Sequence, residues 1–207
     1  MTHKEITILI VEDHHITRFG LRIVLENIPG LVVVGEADEG ILALKKILEL
    51  APDVTLLDIG LPQIDGIECL KRVKALGGSS RIMIRSSHQE NAAVLAALAA
   101  GADGYCLKDS SDDLLIEGIK CLANGNAWLD PRIAGQLASH FAKNTTRSSS
   151  GITQLTKTSL LNQEVALLGK IANKTQFQTN DMCQGVHETD LLRNLMKKMG
   201  VIGTSGS

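Results

Sequence analysis

The sequence lacks any apolar run near the ~20 residues that a membrane-spanning helix requires; its longest candidate, Ala92 to Ala102, is short and built from small side chains. No membrane partner is expected. The opening stretch MTHKEITILIVEDHH also lacks the basic, apolar and small-residue order of an export signal, because acidic residues follow the apolar run at once. The cytoplasm is the expected compartment. Cysteine is sparse: Cys69, Cys106, Cys121 and Cys183 stand apart with no CxxC pair, which argues against a thiolate metal site or a disulfide framework and for buried free thiols. An excess of positive charge is missing too. The formal net charge is -2, so the total does not announce a nucleic-acid binder, although opposite charges on two domains would cancel in it.

What is present suits folded cores: 44% of the 207 residues are hydrophobic and 21% charged, a length that fits one ordinary domain plus a small one. From Ile6 to about Ala123, short β-branched runs alternate with helical stretches. ITILIVE, LVVVGEA, DVTLLDI, RIMIR and DGYCLK each have the length of a strand, and their continuous apolarity suits strands covered on both faces. Between them lie amphipathic segments, such as Thr17 to Ile28 with Phe19, Leu21, Val24, Leu25 and Ile28 at helical spacing, and Ile64 to Leu76. Strict alternation predicts right-handed βαβ units and a doubly wound α/β domain with a five-stranded parallel sheet over residues 1–123.

After Asn124 the texture changes. Asp130 and Pro131 read as an N-cap and first helical residue, opening a short helix with Ile133, Leu137 and Phe141 on one face. NTTRSSSG, residues 144–151, is polar and turn-rich, as linkers are. Residues 124–151 are therefore expected to be a linker with a short helix. A smaller all-α domain is expected over 152–207, with Leu161, Val165, Leu168 and Ala172 in one apolar stripe and Leu191, Leu195 and Met199 in another.

In open α/β sheets, reactive groups gather at the carboxyl ends of the strands, near the point where the winding reverses. Glu12 and Asp13 end the first strand run, Asp58 the third, Ser86 the fourth and Lys108 the fifth. Three carboxylates so placed repel one another unless a cation joins them, and a hard divalent ion with oxygen ligands, Mg²⁺ above all, suits them. With that charge balanced, a carboxylate can attack phosphorus, and Asp58 is the best-placed nucleophile. The histidines His14, His15 and His88 lie near the same strand ends in sequence, but three carboxylates favour a harder ion than zinc.

These residues resemble the receiver domain of two-component response regulators, the family typified by the chemotaxis protein CheY. IVEDHH, LLDIGLPQIDGIE, IRSSH and GADGYCLK carry the resemblance, and so do the spacings of 45 (Asp13 to Asp58), 28 (Asp58 to Ser86) and 22 (Ser86 to Lys108). It implies that Asp58 is the phosphoacceptor, Asp13 a direct Mg²⁺ ligand, Glu12 a ligand through water and the Gly60 carbonyl a backbone ligand. It further implies that Ser86 and Lys108 bind phosphoryl oxygens, and that Tyr105 is an aromatic switch which turns inward when Ser86 moves toward the phosphate. Packing alone is the other reading of Tyr105. In the family, the positions of Gly60 and His88 tune the lifetime of the phosphate. A sensor histidine kinase or a small acyl phosphate is the implied donor.

The layout beyond the receiver resembles the NarL/LuxR class, whose output is a helix-turn-helix that binds DNA as a dimer. LLNQEVALLGKIA, residues 160–172, resembles the first helix of that module, and LMKKMGV, residues 195–201, the end of its recognition helix. The middle, FQTNDMCQGVHETDLLRN, departs from the class: the stretch from Val186 to Gly200 is about three residues short, and Glu188 and Asp190 stand where phosphates would approach. From Gly151 onward, Lys157, Lys170, Lys174, Arg193, Lys197 and Lys198 face Glu164, Asp181, Glu188 and Asp190, a weakly basic balance. Arg193, Asn194, Lys197 and Lys198 are the candidate DNA contacts. Two outputs are compatible with this: phosphorylation-controlled transcription through DNA binding, or a phosphorylation-controlled protein-interaction module that has lost DNA binding. Nothing after Gly151 assembles a nucleophile, base and orienting group, so no enzymatic output is expected beyond the receiver's own phosphorylation and dephosphorylation.

Overall fold

The computed structural model describes residues 4–147, with side chains through His140. The elements follow in strict alternation: β1 (Ile6–Val11), α1 (His15–Glu26), β2 (Leu31–Ala37), α2 (Gly40–Leu50), β3 (Val54–Asp58), α3 (Gly66–Ala75), β4 (Arg81–Ser86), α4 (Asn91–Ala99), β5 (Gly104–Leu107), α5 (Asp112–Ala123), β6 (Trp128–Leu129) and α6 (Pro131–Arg147). Every strand pairing is parallel, and the sheet order is β2-β1-β3-β4-β5-β6. The winding reverses between β1 and β3, which opens a crevice above their carboxyl ends.

Both faces of the sheet are covered, and the two-residue period of the strands divides the core. Ile8, Ile10, Leu56, Met83 and Cys106 pack with Leu21 and Leu25 of α1 and with Leu115, Ile119 and Leu122 of α5. Leu9, Val11, Leu57, Ile82, Ile84, Tyr105 and Leu107 face the other way, against Ala43, Ile47, Leu70, Val73, Val94 and Leu98 of α2, α3 and α4. Local chemistry marks the helix starts. The Asp65 carboxylate accepts a hydrogen bond from the Glu68 amide at 2.8 Å at the head of α3, and Asp112 and Asp113 sit in the first turn of α5, where negative charge meets the positive end of the helix dipole.

Three expectations are corrected. The sheet has six strands, not five: Trp128–Leu129 pairs with Gly104 and Tyr105. A two-residue strand leaves no periodicity to read, so only its pairing reveals it. The stretch read as the start of a linker belongs to the packed body as far as Ala138, because Trp128 joins one side of the core and Leu129, Ile133, Ala134, Leu137 and Ala138 join the other. Asp130 does cap α6, its carboxylate accepting from the Arg132 amide at 2.9 Å. Finally, Phe19 is not on the inner face of α1. It is 46% exposed, its ring stacked beside His15 and beneath the Arg22 guanidinium, 5.3 Å from the ring centroid. The expected domain over 152–207 and the remainder of the linker lie outside the described residues.

Candidate functional site

Strand parity builds the site. Ile10, Leu56, Met83 and Cys106 point to one face, so two residues further on the same side come Glu12, Asp58, Arg85 and Lys108, just where β1, β3, β4 and β5 run out. Glu12 is 1% exposed and Asp58 5%, both far below what a free carboxylate tolerates. Lys108 reconciles them: its Nζ donates to Asp58 Oδ2 at 2.8 Å and lies 2.9 Å from each oxygen of Glu12. Burial works against the ammonium, but the hydrogen bonds to Asp58 and Glu12 outweigh it and hold the Lys108 pKa above that of an ordinary lysine. Arg18 braces the same rim, donating from Nη1 to the Glu12 carbonyl at 2.6 Å while its Nε bonds Glu36.

Asp13 is half-buried, and its Oδ1 lies 2.9 Å from His14 Nδ1. One ligand atom from each of Glu12, Asp13 and His14 falls within 4.8 Å of the others, a spacing that suits a shared cation. Gly60 is close to Asp58: a Cβ built on it would lie 3.7 Å from Asp58 Oδ2. The turn between them and α3 is drawn tight, since the Leu61 and Gly66 amides both donate to the Ile59 carbonyl at 2.9 Å.

Ser86 and Tyr105 form a second group, centred on His88. Ser86 continues the Ile82 and Ile84 series and so belongs to the opposite parity from Asp58. Its Oγ accepts from the His88 amide at 3.0 Å and lies 3.1 Å from His88 Nδ1. Tyr105 is fully buried, its hydroxyl donating to the His88 carbonyl at 2.8 Å, and burial raises its pKa. The buried Ser86 and Tyr105 are thus both tied to the loop that leads into α4. Arg193, Asn194, Lys197 and Lys198 lie outside the described residues.

Three contributors escaped sequence reasoning. Gly66 lets the head of α3 rest against the backbone of Asp58. Asp103 is held by Lys74 at 2.8 Å, Arg81 at 2.9 Å and the Ile82 amide at 2.9 Å, fastening β5 to β4. Arg85 brings a second cation to Glu12, at 3.9 Å. Its place in β4 between Ile84 and the strand-end Ser86 was the available signal.

This crevice of buried carboxylates around a lysine, on a doubly wound parallel sheet, defines a receiver-type domain. Residues 8–120 match the response regulator receiver domain family. The nitrate/nitrite response regulator NarL of Escherichia coli K12 is 33% identical over 150 residues, covering 72% of this chain and 69% of NarL. The transcriptional regulatory protein YdfI of Bacillus subtilis is 29% identical over 196 residues, 93% of this chain and 89% of that relative. The match to DegU of Brevibacillus brevis is shorter, 143 residues, and spans 61% of that protein's length. Among solved structures, a LuxR-family response regulator from Aurantimonas sp. SI85-9A1 superposes with a TM-score of 0.64 at 35% identity, covering 66% of this chain and 98% of that one. The chain belongs to the two-component response-regulator family, among regulators of the NarL/LuxR type.

Proposed function

We propose that the chain is a phosphorylation-activated regulator of transcription, with Asp58 as phosphoacceptor and DNA as the target of its C-terminal part. The observation that carries the first half is the bridge from Lys108 to Asp58 and Glu12, a buried anionic site prepaired with a fixed cation. An Asp58 carboxylate oxygen attacks phosphorus, forming a P–O bond as the P–N bond of a kinase phosphohistidine, or the P–O bond of a small acyl phosphate, breaks. Lys108 follows the new negative charge onto a phosphoryl oxygen. The Ser86 hydroxyl turns from His88 to another oxygen, and Tyr105, already inward, keeps the loop before α4 in the position that this favours.

Glu12, Asp13, Asp58 and the Gly60 carbonyl would form an all-oxygen donor set with an excess of negative charge, of the kind that fits Mg²⁺; Glu12 and Asp13 stand together, with His14 beside them. Glu12 would hold the ion through water and the others directly. When bound, Mg²⁺ supplies charge neutralisation for the phosphoryl oxygens.

Transcription control is supported by the relatives, which are named as transcriptional regulatory proteins and a nitrate/nitrite response regulator. In this reading residues 1–123 form the receiver, extended by the packing of β6 and α6, residues toward 151 link it to the output, and 152–207 bind DNA as part of a phosphorylation-stabilised dimer. Arg193, Asn194, Lys197 and Lys198 supply the contacts. The setting is the cytoplasm; no helix among the described residues is long and apolar enough to cross a membrane. Fluorescence anisotropy with duplex DNA, with and without beryllofluoride and at several salt concentrations, tests it. Tighter binding with the mimic and steep loss with salt are expected. No binding by a folded protein that responds to the mimic would replace the DNA target with a protein one.

A further inference from the structure

Arginine inside a covered strand needs a reason, because its five N–H donors and its charge must all leave water. Arg85 lies in β4, its Cα in register with Asp58 on one side and Cys106 on the other. Its side chain is 11% exposed. Nη2 donates to the Lys108 carbonyl at 3.1 Å. Nε and Nη1 are wholly buried and find no hydrogen-bond acceptor among the described residues. Nη1 stands 3.9 Å from Glu12 Oε2, within reach of the charge but too far for a hydrogen bond.

Glu12, for its part, has both oxygens committed to Lys108 at 2.9 Å. If Lys108 transfers to a phosphoryl oxygen, a carboxylate that is 1% exposed loses its short ionic contacts. Stranding a buried charge is among the most damaging changes a fold can undergo. Arg85 is the cation positioned to prevent it. Closing the gap to an ordinary charge-assisted hydrogen bond of about 2.8 Å takes a small shift of the guanidinium, which is anchored through Nη2 to the backbone of Lys108 itself.

We propose that Arg85 is a standby counter-ion: it takes over Glu12 when Lys108 leaves for the phosphoryl group, and until then it adds a fixed positive charge that competes with the divalent ion. Arg85 is a positioning residue here, acting through Glu12. The proposal rests on the reading of Lys108 as the phosphoryl-binding lysine. A bland role, in which Arg85 only bonds the Lys108 carbonyl, predicts neither of its two consequences.

The first consequence needs no metal. In full-length protein, Arg85→Met should lower the urea midpoint little while Lys108 is present, and at least twice as far in a Lys108→Met background, where Arg85 is the one permanently charged cation left within 4 Å of the Glu12 carboxylate among the described residues, beside the exposed His14 imidazole at 3.5 Å. Additive effects would overturn the standby role. Should the double variant fail to fold, Glu12→Gln is added: recovery of folding supports a stranded charge, and continued failure overturns it. The second consequence is read from Mn²⁺ binding by electron paramagnetic resonance. Arg85→Met should bind the ion about tenfold more tightly, as expected when one positive charge leaves an anionic site. Equal or weaker binding would overturn the competition. Wild-type protein that takes up no Mn²⁺ overturns that competition together with the metal reading, while the denaturation cycle still decides the standby role.

Discussion

A Cβ placed on Gly66 would stand 2.0 Å from the carbonyl oxygen of Asp58, so the residue that opens α3 and the residue that ends β3 are in direct contact. Backbone cannot give way as a side-chain tip does. Gly66→Ala is expected to push the end of β3 aside, destabilise the fold by about 2 kcal/mol and slow acyl-phosphate labelling of Asp58 at least tenfold. Denaturant titration and radiolabelling check the two effects, and unchanged labelling would separate the contact from the chemistry.

Asp58→Asn removes the proposed nucleophile and one charged partner of Lys108 while keeping the shape of the side chain. Labelling by acetyl phosphate is expected to vanish. Mg²⁺ binding should be weakened but detectable, because Glu12, Asp13 and the Gly60 carbonyl persist. Undiminished labelling would remove the phosphoacceptor role from Asp58.

Tyr105→Phe keeps the buried ring and deletes the hydroxyl that donates to the His88 carbonyl and stands beside Ser86. The expected cost is about 1 kcal/mol, since that carbonyl loses its donor. Hydrogen exchange should quicken in the loop before α4 and leave β1 and β3 unaffected. If the ring alone carries the packing, exchange will not change.

Asp103 sets an acid limit. Burial raises its pKa, but Lys74, the Ile82 amide and Arg81 outweigh that and hold it below the ordinary 3.8. A depressed folded pKa means that the group's contribution is complete above the unfolded value and disappears as pH falls through the lower folded one. Wild-type stability should therefore decline below about pH 4 more steeply than that of Asp103→Asn, which at neutral pH is weaker by about 2 kcal/mol. Denaturation midpoints from pH 2 to 7 check both statements.

Much of this molecule was legible without coordinates because its strands are covered on both faces. Continuous apolar runs marked β1 to β5, and the abrupt change to Glu12, Asp58, Ser86 and Lys108 marked their carboxyl ends. The Asp-Pro pair marked the head of α6. Periodicity failed where it had too few residues or a misleading one: β6 is two residues long, and Phe19 obeys helical spacing yet stacks on His15 in solvent.

Sequence alone determined the order of β1 to β5 with their helices and that Glu12, Asp58 and Lys108 stand at strand ends, since both follow from local patterns of period 2 and 3.6. Only the tertiary structure decided how the edge divides. Pairing β4 between β3 and β5 puts Arg85 beside Glu12 and Lys108, and brings the Tyr105 hydroxyl to the His88 carbonyl. Those partners come from strands distant along the chain, and the energy of a buried charge depends on which neighbours lie within a few ångströms, something no single segment encodes.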